Sequence, residues 1–144
     1  MTGEAPALVL HHIGFVVADI VQAAPAFARS FAAAWDGCVY QDPHQNVKVT
    51  FLSAGDSRIE LVEPAGEDSP VLRFLREKGG GLHHACYEVA DLEGTMREMK
   101  ARGCLIARRP RPATAFGGRR IAWMLTAEKL LVELLESAPE NPSV

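Results

Sequence analysis

No apolar run in this sequence approaches the roughly 20 residues that a helix needs to cross a bilayer. That absence excludes a conventional membrane-spanning helix. Cysteine is scarce: Cys38, Cys86 and Cys104 form no C-x-x-C pair, which suits reduced thiols. The opening MTGEAPALVL has neither the basic flank nor the apolar centre of a signal segment. Together with the unpaired thiols it gives a cytoplasmic protein as the expectation. Excess charge is lacking as well. A formal net charge of −3 gives no electrostatic reason to expect nucleic acid as a partner. Arginines do gather at Arg108, Arg109, Arg111, Arg119 and Arg120, which suits either a solvated rim or an anion-binding surface.

What the chain does have is 48% hydrophobic and 23% charged residues over 144 positions. That is enough for a packed core in one domain or in two small half-domains. It also has an internal repeat. LHHIGFVVADI at 10–20 returns as LHHACYEVADL at 82–92. Leu10/Leu82, His11/His83, His12/His84, Val17/Val89, Ala18/Ala90 and Asp19/Asp91 are identical. A repeat of this kind fixes the architecture before any single element does.

Each copy reads as a strand that runs into a helix capped by Asp19 or Asp91. In the first half the helix spans IVQAAPAFARSFAAAW, with Pro25 as either a kink or an effective first turn. Strands follow in CVYQ and NVKVTFLSA, joined by the turn DPHQN, and then in SRIELVEP. Ser69 as N-cap and Pro70 at the first helical position predict a linker helix over 69–78, ended by Gly79, Gly80 and Gly81. The second half repeats the order. Leu92, Met96 and Met99 share one helix face, CLIARR is a short strand, RPRPATAFGG a long loop, and RRIAWMLT and LLVELLE are the last two strands. The predicted fold is therefore α+β. Two pseudo-symmetric βαβββ modules, 8–64 and 81–137, form a curved mixed sheet around a central cleft, and the tail 138–144 is frayed.

The repeat carries chemistry past the histidines. IELVE holds Glu60 and VELLE holds Glu133. Glu60 lies 48 residues after His12 and Glu133 lies 49 after His84. Pseudo-two-fold symmetry would bring the two histidines and two glutamates to the middle of the cleft. Two imidazoles and two carboxylates suit a divalent ion of borderline hardness: Co, Ni, Mn, Zn or Fe. Four protein ligands on an octahedral ion leave two adjacent positions for substrate oxygens, so a chelated carbonyl would be polarised and an enolate stabilised. Strand alternation lets only one histidine of each pair face the cleft. His11 and His83 are therefore expected on the opposite face, in packing or supporting roles.

The stretches LHHIGFVVADI, IELVEPAGEDSPVLRFL, GGGLHHACYEVADL and VELLE resemble the vicinal oxygen chelate superfamily. Among its branches they look most like the methylmalonyl-CoA epimerases, and EPAGEDSP at 63–70 followed by Phe74-Leu75 is the most specific segment. The resemblance covers about residues 8–136. It implies metal ligands His12, Glu60, His84 and Glu133. It also implies an isomerase that removes and returns the α-proton of a 2-substituted acyl thioester through a metal-stabilised enolate. Glu133 or Glu60 would be the base, and the acyl carrier would be CoA or a carrier protein. A homodimer is expected. The second enzyme reading is a lyase of the glyoxalase I type, but the F-Y-x-x-x-L-G-M helix end of that group is absent, FARSFAAAW standing in its place. The third is a small-molecule-binding resistance protein on the same fold, which retention of all four ligand types argues against. Ring-cleaving dioxygenases use one carboxylate, not two. The epimerase pattern itself is incomplete before the last strand. LTAEKL lacks the H-P-K and G-G of the group, and the strand NVKVTF offers only Lys48 as a charged side chain.

Overall fold

The computed structural model describes residues 7–138, so residues 139–144 of the expected tail lie outside the described residues. In chain order the elements are β1 (Val9–Val16), α1 (Ile20–Phe31), β2 (Ala34–Trp35), β3 (Tyr40–Asp42), β4 (Val47–Ala54), β5 (Ser57–Pro64), α2 (Leu72–Lys78), β6 (Gly81–Val89), α3 (Leu92–Ala101), β7 (Leu105–Pro112), β8 (Arg120–Leu125) and β9 (Leu131–Glu136). A 3-10 turn covers Thr114–Phe116.

The nine strands of the described residues join one mixed sheet in the order β2-β4-β5-β1-β6-β9-β8-β7, with β3 on β4. The two halves meet at an antiparallel seam between β1 and β6. Outward from that seam each half repeats the same pairing: β1 runs parallel to β5, and β6 parallel to β9. The fold class read from the repeat is the observed one, and the halves pair within a single chain.

Alternation along the strands sorts residues between two faces. Ile59 and Leu61 of β5 and Leu52 of β4 pack on Ile20 and Ala24 of α1. Leu134 of β9 and Ala122 and Met124 of β8 pack on Leu92, Met96 and Met99 of α3. The intervening residues Glu60, Val62, Glu133 and Leu135 turn to the face that carries no helix from α1 or α3. Asp19 and Asp91 cap as expected, accepting from Val21 N and Gly94 N at 3.0 Å.

Four local expectations need correction. Helix α1 stops at Phe31 because Ala32 turns left-handed (φ 50, ψ 42), and the last residues assigned to it become β2, paired with Leu52 and Ser53. Helix α1 also passes through Pro25 and does not begin at it. Helix α2 begins at Leu72, not at Ser69: Leu72 N donates to Ser69 O at 3.2 Å. With Val71 at φ −92, ψ −5, this is a type I turn with Pro70 at its second position. Strand β7 runs on to Pro112, so part of the expected loop is strand. It lies at the sheet edge, where Pro110 and Pro112 remove no needed ladder bond.

Candidate metal centre

His12 and His84 sit on the two seam strands, and Glu60 and Glu133 on the strands flanking them. Gly14 faces Glu60 across β1–β5, and Cys86 faces Glu133 across β6–β9. The structure brings together all four side chains expected from the sequence. His12 Nε2 lies 3.4 Å from Glu60 Oε1 and 3.1 Å from Glu133 Oε1. His84 Nε2 lies 3.2 Å and 3.5 Å from the same oxygens. The two Nε2 atoms are 3.2 Å apart. All four residues are buried.

This donor set fits a divalent ion on three grounds. Bonds of about 2.0–2.2 Å to nitrogen and oxygen require neighbouring donors roughly 3 Å apart, which is the spacing found. Glu133 Oε1 is a buried oxygen without a hydrogen bond unless a proton sits on a neighbouring imidazole Nε2, and an ion there would satisfy it in the proton's place. The protons point the same way. Burial would push His12 and His84 down, but the carboxylates outweigh it and hold them up at about 10 and about 9. Burial would likewise raise both glutamates, yet the imidazoles hold Glu60 and Glu133 below the usual carboxylate range. The centre thus balances two protons against two carboxylates, and a divalent ion replaces those protons charge for charge.

The opposite face expected for His11 and His83 is overturned, while a packing or supporting role stands. In the β1–β6 pairing the register jumps from Leu10↔Tyr87 to His12↔Cys86, and again between Gly14↔His84 and Phe15↔Leu82. The residues left over are His11 and His83. Each is an extra residue in a β-bulge, and a bulge breaks the alternation that would send it to the opposite face. His11 Nδ1 lies 2.8 Å from His12 Nδ1, and His83 Nδ1 lies 2.8 Å from His84 Nδ1. Burial first, and then the neighbouring ring, push His11 and His83 down to about 4.

Sequence reasoning missed the walls. Phe51 meets the His12 ring edge-on at 5.6 Å, and Trp123 meets His84 at 4.8 Å. Phe51 pairs across β4–β5 with Glu60, and Trp123 across β8–β9 with Glu133. They are the symmetry-related aromatic neighbours of the two carboxylates. Phe116 of the 3-10 turn lies over His12, centroids 5.9 Å apart. Above the centre is a cavity of about 160 Å³, walled by Val47, Val49, Val62, Val71, Ala115 and Trp123, with His83 and Arg108 among its polar lining. Asp42 also lines it, but its carboxylate is committed to the backbone N–H groups of His44 and Gln45 and to the Gln45 side-chain amide. Gln45 in turn accepts from Trp123 Nε1 at 2.9 Å, tying the two half-sheets across the cavity mouth. A sequence signal existed for the aromatics alone: each lies near the middle of the strand before the glutamate strand. Arg119 and Arg120 are engaged with Glu88, and with Glu93 and Glu136, which favours the solvated-rim reading for those two.

Comparison with known proteins agrees with this architecture. The family model described as Glyoxalase/Bleomycin resistance protein/Dioxygenase superfamily matches residues 11–123. Ethylmalonyl-CoA/methylmalonyl-CoA epimerase of Cereibacter sphaeroides is 32% identical over 116 residues, 80% of this chain and 86% of that protein. The mitochondrial methylmalonyl-CoA epimerase of Homo sapiens is 35% identical over 92 residues. That match takes in 63% of this chain and about half, 52%, of the human protein. Among solved structures, a hypothetical protein from Bacillus halodurans C-125 superposes with a TM-score of 0.82 at 31% identity, covering 95% of this chain and 99% of that one. A variant of Streptomyces coelicolor methylmalonyl-CoA epimerase in complex with 2-nitronate-propionyl-CoA superposes with a TM-score of 0.79 at 25% identity, covering 94% and 100%.

Proposed function

The chain belongs to the glyoxalase/bleomycin resistance protein/dioxygenase superfamily, and from that membership we propose that it is a metal-dependent epimerase of a 2-substituted acyl thioester such as methylmalonyl-CoA. The observation that carries the reading is the buried His12–Glu60–His84–Glu133 cluster at the floor of an apolar cavity. Those four residues are the proposed ligands. The N2O2 set points to a borderline ion, Co, Ni, Mn, Zn or Fe. When bound, such an ion supplies Lewis-acid stabilisation to the negative charge that develops at the acyl oxygen as the α-proton leaves.

The protein supplies the rest. The valine and aromatic walls hold the 2-alkyl group and exclude water, which strengthens every electrostatic interaction at the floor. Of the carboxylates lining the cavity among the described residues, Asp42 is spent on three N–H groups. Proton transfer therefore falls to Glu60 and Glu133. They lie on opposite sides of the β1–β6 seam, which suits a reaction that takes a proton from one face of the α-carbon and returns it to the other. The acyl carrier is CoA or a carrier protein, held at the mouth where Arg108 stands.

We further read residues 8–137 as one domain and place the protein in the cytoplasm, in keeping with three free thiols. The exposed Val9, Leu10 and Leu82 fit association as a homodimer. The test of the activity is exchange. The Co(II)-loaded protein in deuterated water should incorporate deuterium at the α-carbon of methylmalonyl-CoA. No exchange with any 2-substituted malonyl thioester would end the epimerase reading.

A further inference from the structure

We propose that His11 and His83 are a matched pair of positioning residues that set the tautomers of His12 and His84, and that His83 in consequence presents an N–H to the cavity. The inference rests on the reading of His12 and His84 as metal ligands.

The ring atoms of His12 and His84 that converge on the carboxylates are both Nε2. Ligation through Nε2 needs its lone pair, so the one proton of each neutral ring must sit on Nδ1. Each Nδ1 lies 2.8 Å from the Nδ1 of the histidine before it. Only one nitrogen in each contact can carry the proton. With the proton on the ligand ring, His11 and His83 accept through Nδ1 and hold their own proton on Nε2. Metal-bound histidine ordinarily donates to a carboxylate, a backbone carbonyl or water. Here the acceptor is a neutral imidazole, brought into reach by the bulge that turns two consecutive side chains the same way. A neutral acceptor fixes the ring without adding a third negative charge to a centre already balanced by two carboxylates.

The two partners then differ in what their Nε2–H can reach. His11 packs edge-on against Phe116, centroids 5.4 Å apart, and is not among the residues that line the cavity. His83 stands between Phe74 and Trp123, at 5.0 and 6.1 Å, and does line it. Its one hydrogen bond to the described residues is the Nδ1 contact with His84. Its Nε2–H is therefore free to donate to an anionic oxygen of a bound ligand, next to the metal centre and on one side only. The repeat supplies a supporting histidine twice, and the unequal walls make one of them a ligand contact.

The experiment reads tautomers directly. In the Zn(II)-loaded wild type, two-bond proton–nitrogen correlation should show His12 and His84 protonated at Nδ1 and His11 and His83 protonated at Nε2. His11 or His83 protonated at Nδ1 would overturn the inference while leaving the metal reading intact; no ion uptake by the wild type would overturn both. Zn(II) affinity, read by competition with a chelating dye, should fall about 10- to 100-fold in His11→Leu and His83→Leu. It should return in the Asn variants, whose Oδ1 stands where Nδ1 stood, and failure of that rescue counts against the pair. Malonate titrated into the Co(II)-loaded variants and read on the cobalt absorption band tests the cavity N–H. His83→Asn, which lacks a group at the Nε2 position, should bind malonate about 10-fold more weakly than His11→Asn, as loss of a hydrogen bond to a charged group implies. Equal affinities would overturn the cavity role.

Discussion

Gly14 lies directly across the central seam from His84, and the His84 ring fills the space that a Cβ at position 14 would take. The symmetry-related residue is Cys86, which faces His12 and is fully buried. One histidine of the pair thus leans over a bare backbone, and the other stands opposite a thiol.

Gly14→Ala should therefore displace His84 and spare the fold, because position 14 lies in ordinary strand without a left-handed φ. Divalent-ion affinity should drop at least about 10-fold, the scale on which disturbed ligand orientation acts. Cys86→Ala removes a buried thiol beside His12 and Glu133 without adding bulk and should hold affinity within a few-fold. Isothermal titration with Zn(II) checks both, and an unchanged Gly14→Ala would show that the ring has room to retreat.

Glu133→Gln and Glu60→Gln each keep the side-chain length and an oxygen donor but remove the base. Proton exchange at the α-carbon should fall about 10²- to 10⁴-fold in at least one of them. Metal content, measured on the same samples by atomic emission, should fall far less. A loss of exchange that tracks the loss of metal in both variants would leave neither glutamate with a role in proton transfer.

Ion binding should also be visible in unfolding. An ion that binds only the folded chain adds about 2.7 kcal/mol at a free concentration 100 times its Kd. For a domain of this size that corresponds to roughly 5–10 °C in Tm. Differential scanning fluorimetry of chelator-treated protein with added Zn(II), Co(II) or Mn(II) reads the shift, and a Tm indifferent to all of them would count against the centre.

The metal-free protein should respond to pH in a defined direction. His12 and His84 are raised to about 10 and about 9 in the fold from about 6.5 when unfolded. Their stabilisation is complete below about pH 6.5 and is lost as pH rises through 9 to 10. Glu60 and Glu133 are lowered, so their stabilisation is present above about pH 4.5 and fades as acid protonates them. His11 and His83, pushed down to about 4 in the fold, take up protons more readily when unfolded and so weaken the fold as pH falls below about 6.5. Urea midpoints without metal should thus peak near about pH 6.5 and decline both toward about pH 4 and toward about pH 10. Metal affinity should move the other way and rise with pH, since the ion must displace two protons.

The repeat made much of this legible. His12 and His84 name the seam strands, and the matched distances to Glu60 and Glu133 name their neighbours. Both follow from side-chain type at fixed spacing, which survives in one dimension. Pseudo-two-fold symmetry places the glutamates correctly at the middle of the cleft, because β5 and β9 pair in regular register with the seam strands; alternation is the rule applied to the histidine pairs. It failed for His11 and His83 because a bulge is a property of two strands at once. Nothing in LHH says that the partner strand will skip a residue. Strand β2 was hidden for a similar reason: Ala34 and Trp35 suit a helix, and the pairing with β4 overrides that propensity. Phe116 and Gln45 reach the cavity from connections between strands, where neither period nor repeat gives a bearing.

The seam itself has a consequence for assembly. The centre exists only where β1 meets β6, and the chain between them, residues 17–80, adds just one short helix, α2, after the last strand of the first half-sheet. Nothing in the seam distinguishes a β6 from the same chain from a β6 of another. Cutting the connection after Pro64 to a few residues would leave the two strand edges intact but unable to reach each other within one molecule. Two chains could then exchange halves, each half-sheet closing on its neighbour's and each pair of chains holding two complete centres. The length of that connection, and not the chemistry of the strands, keeps one centre in one chain.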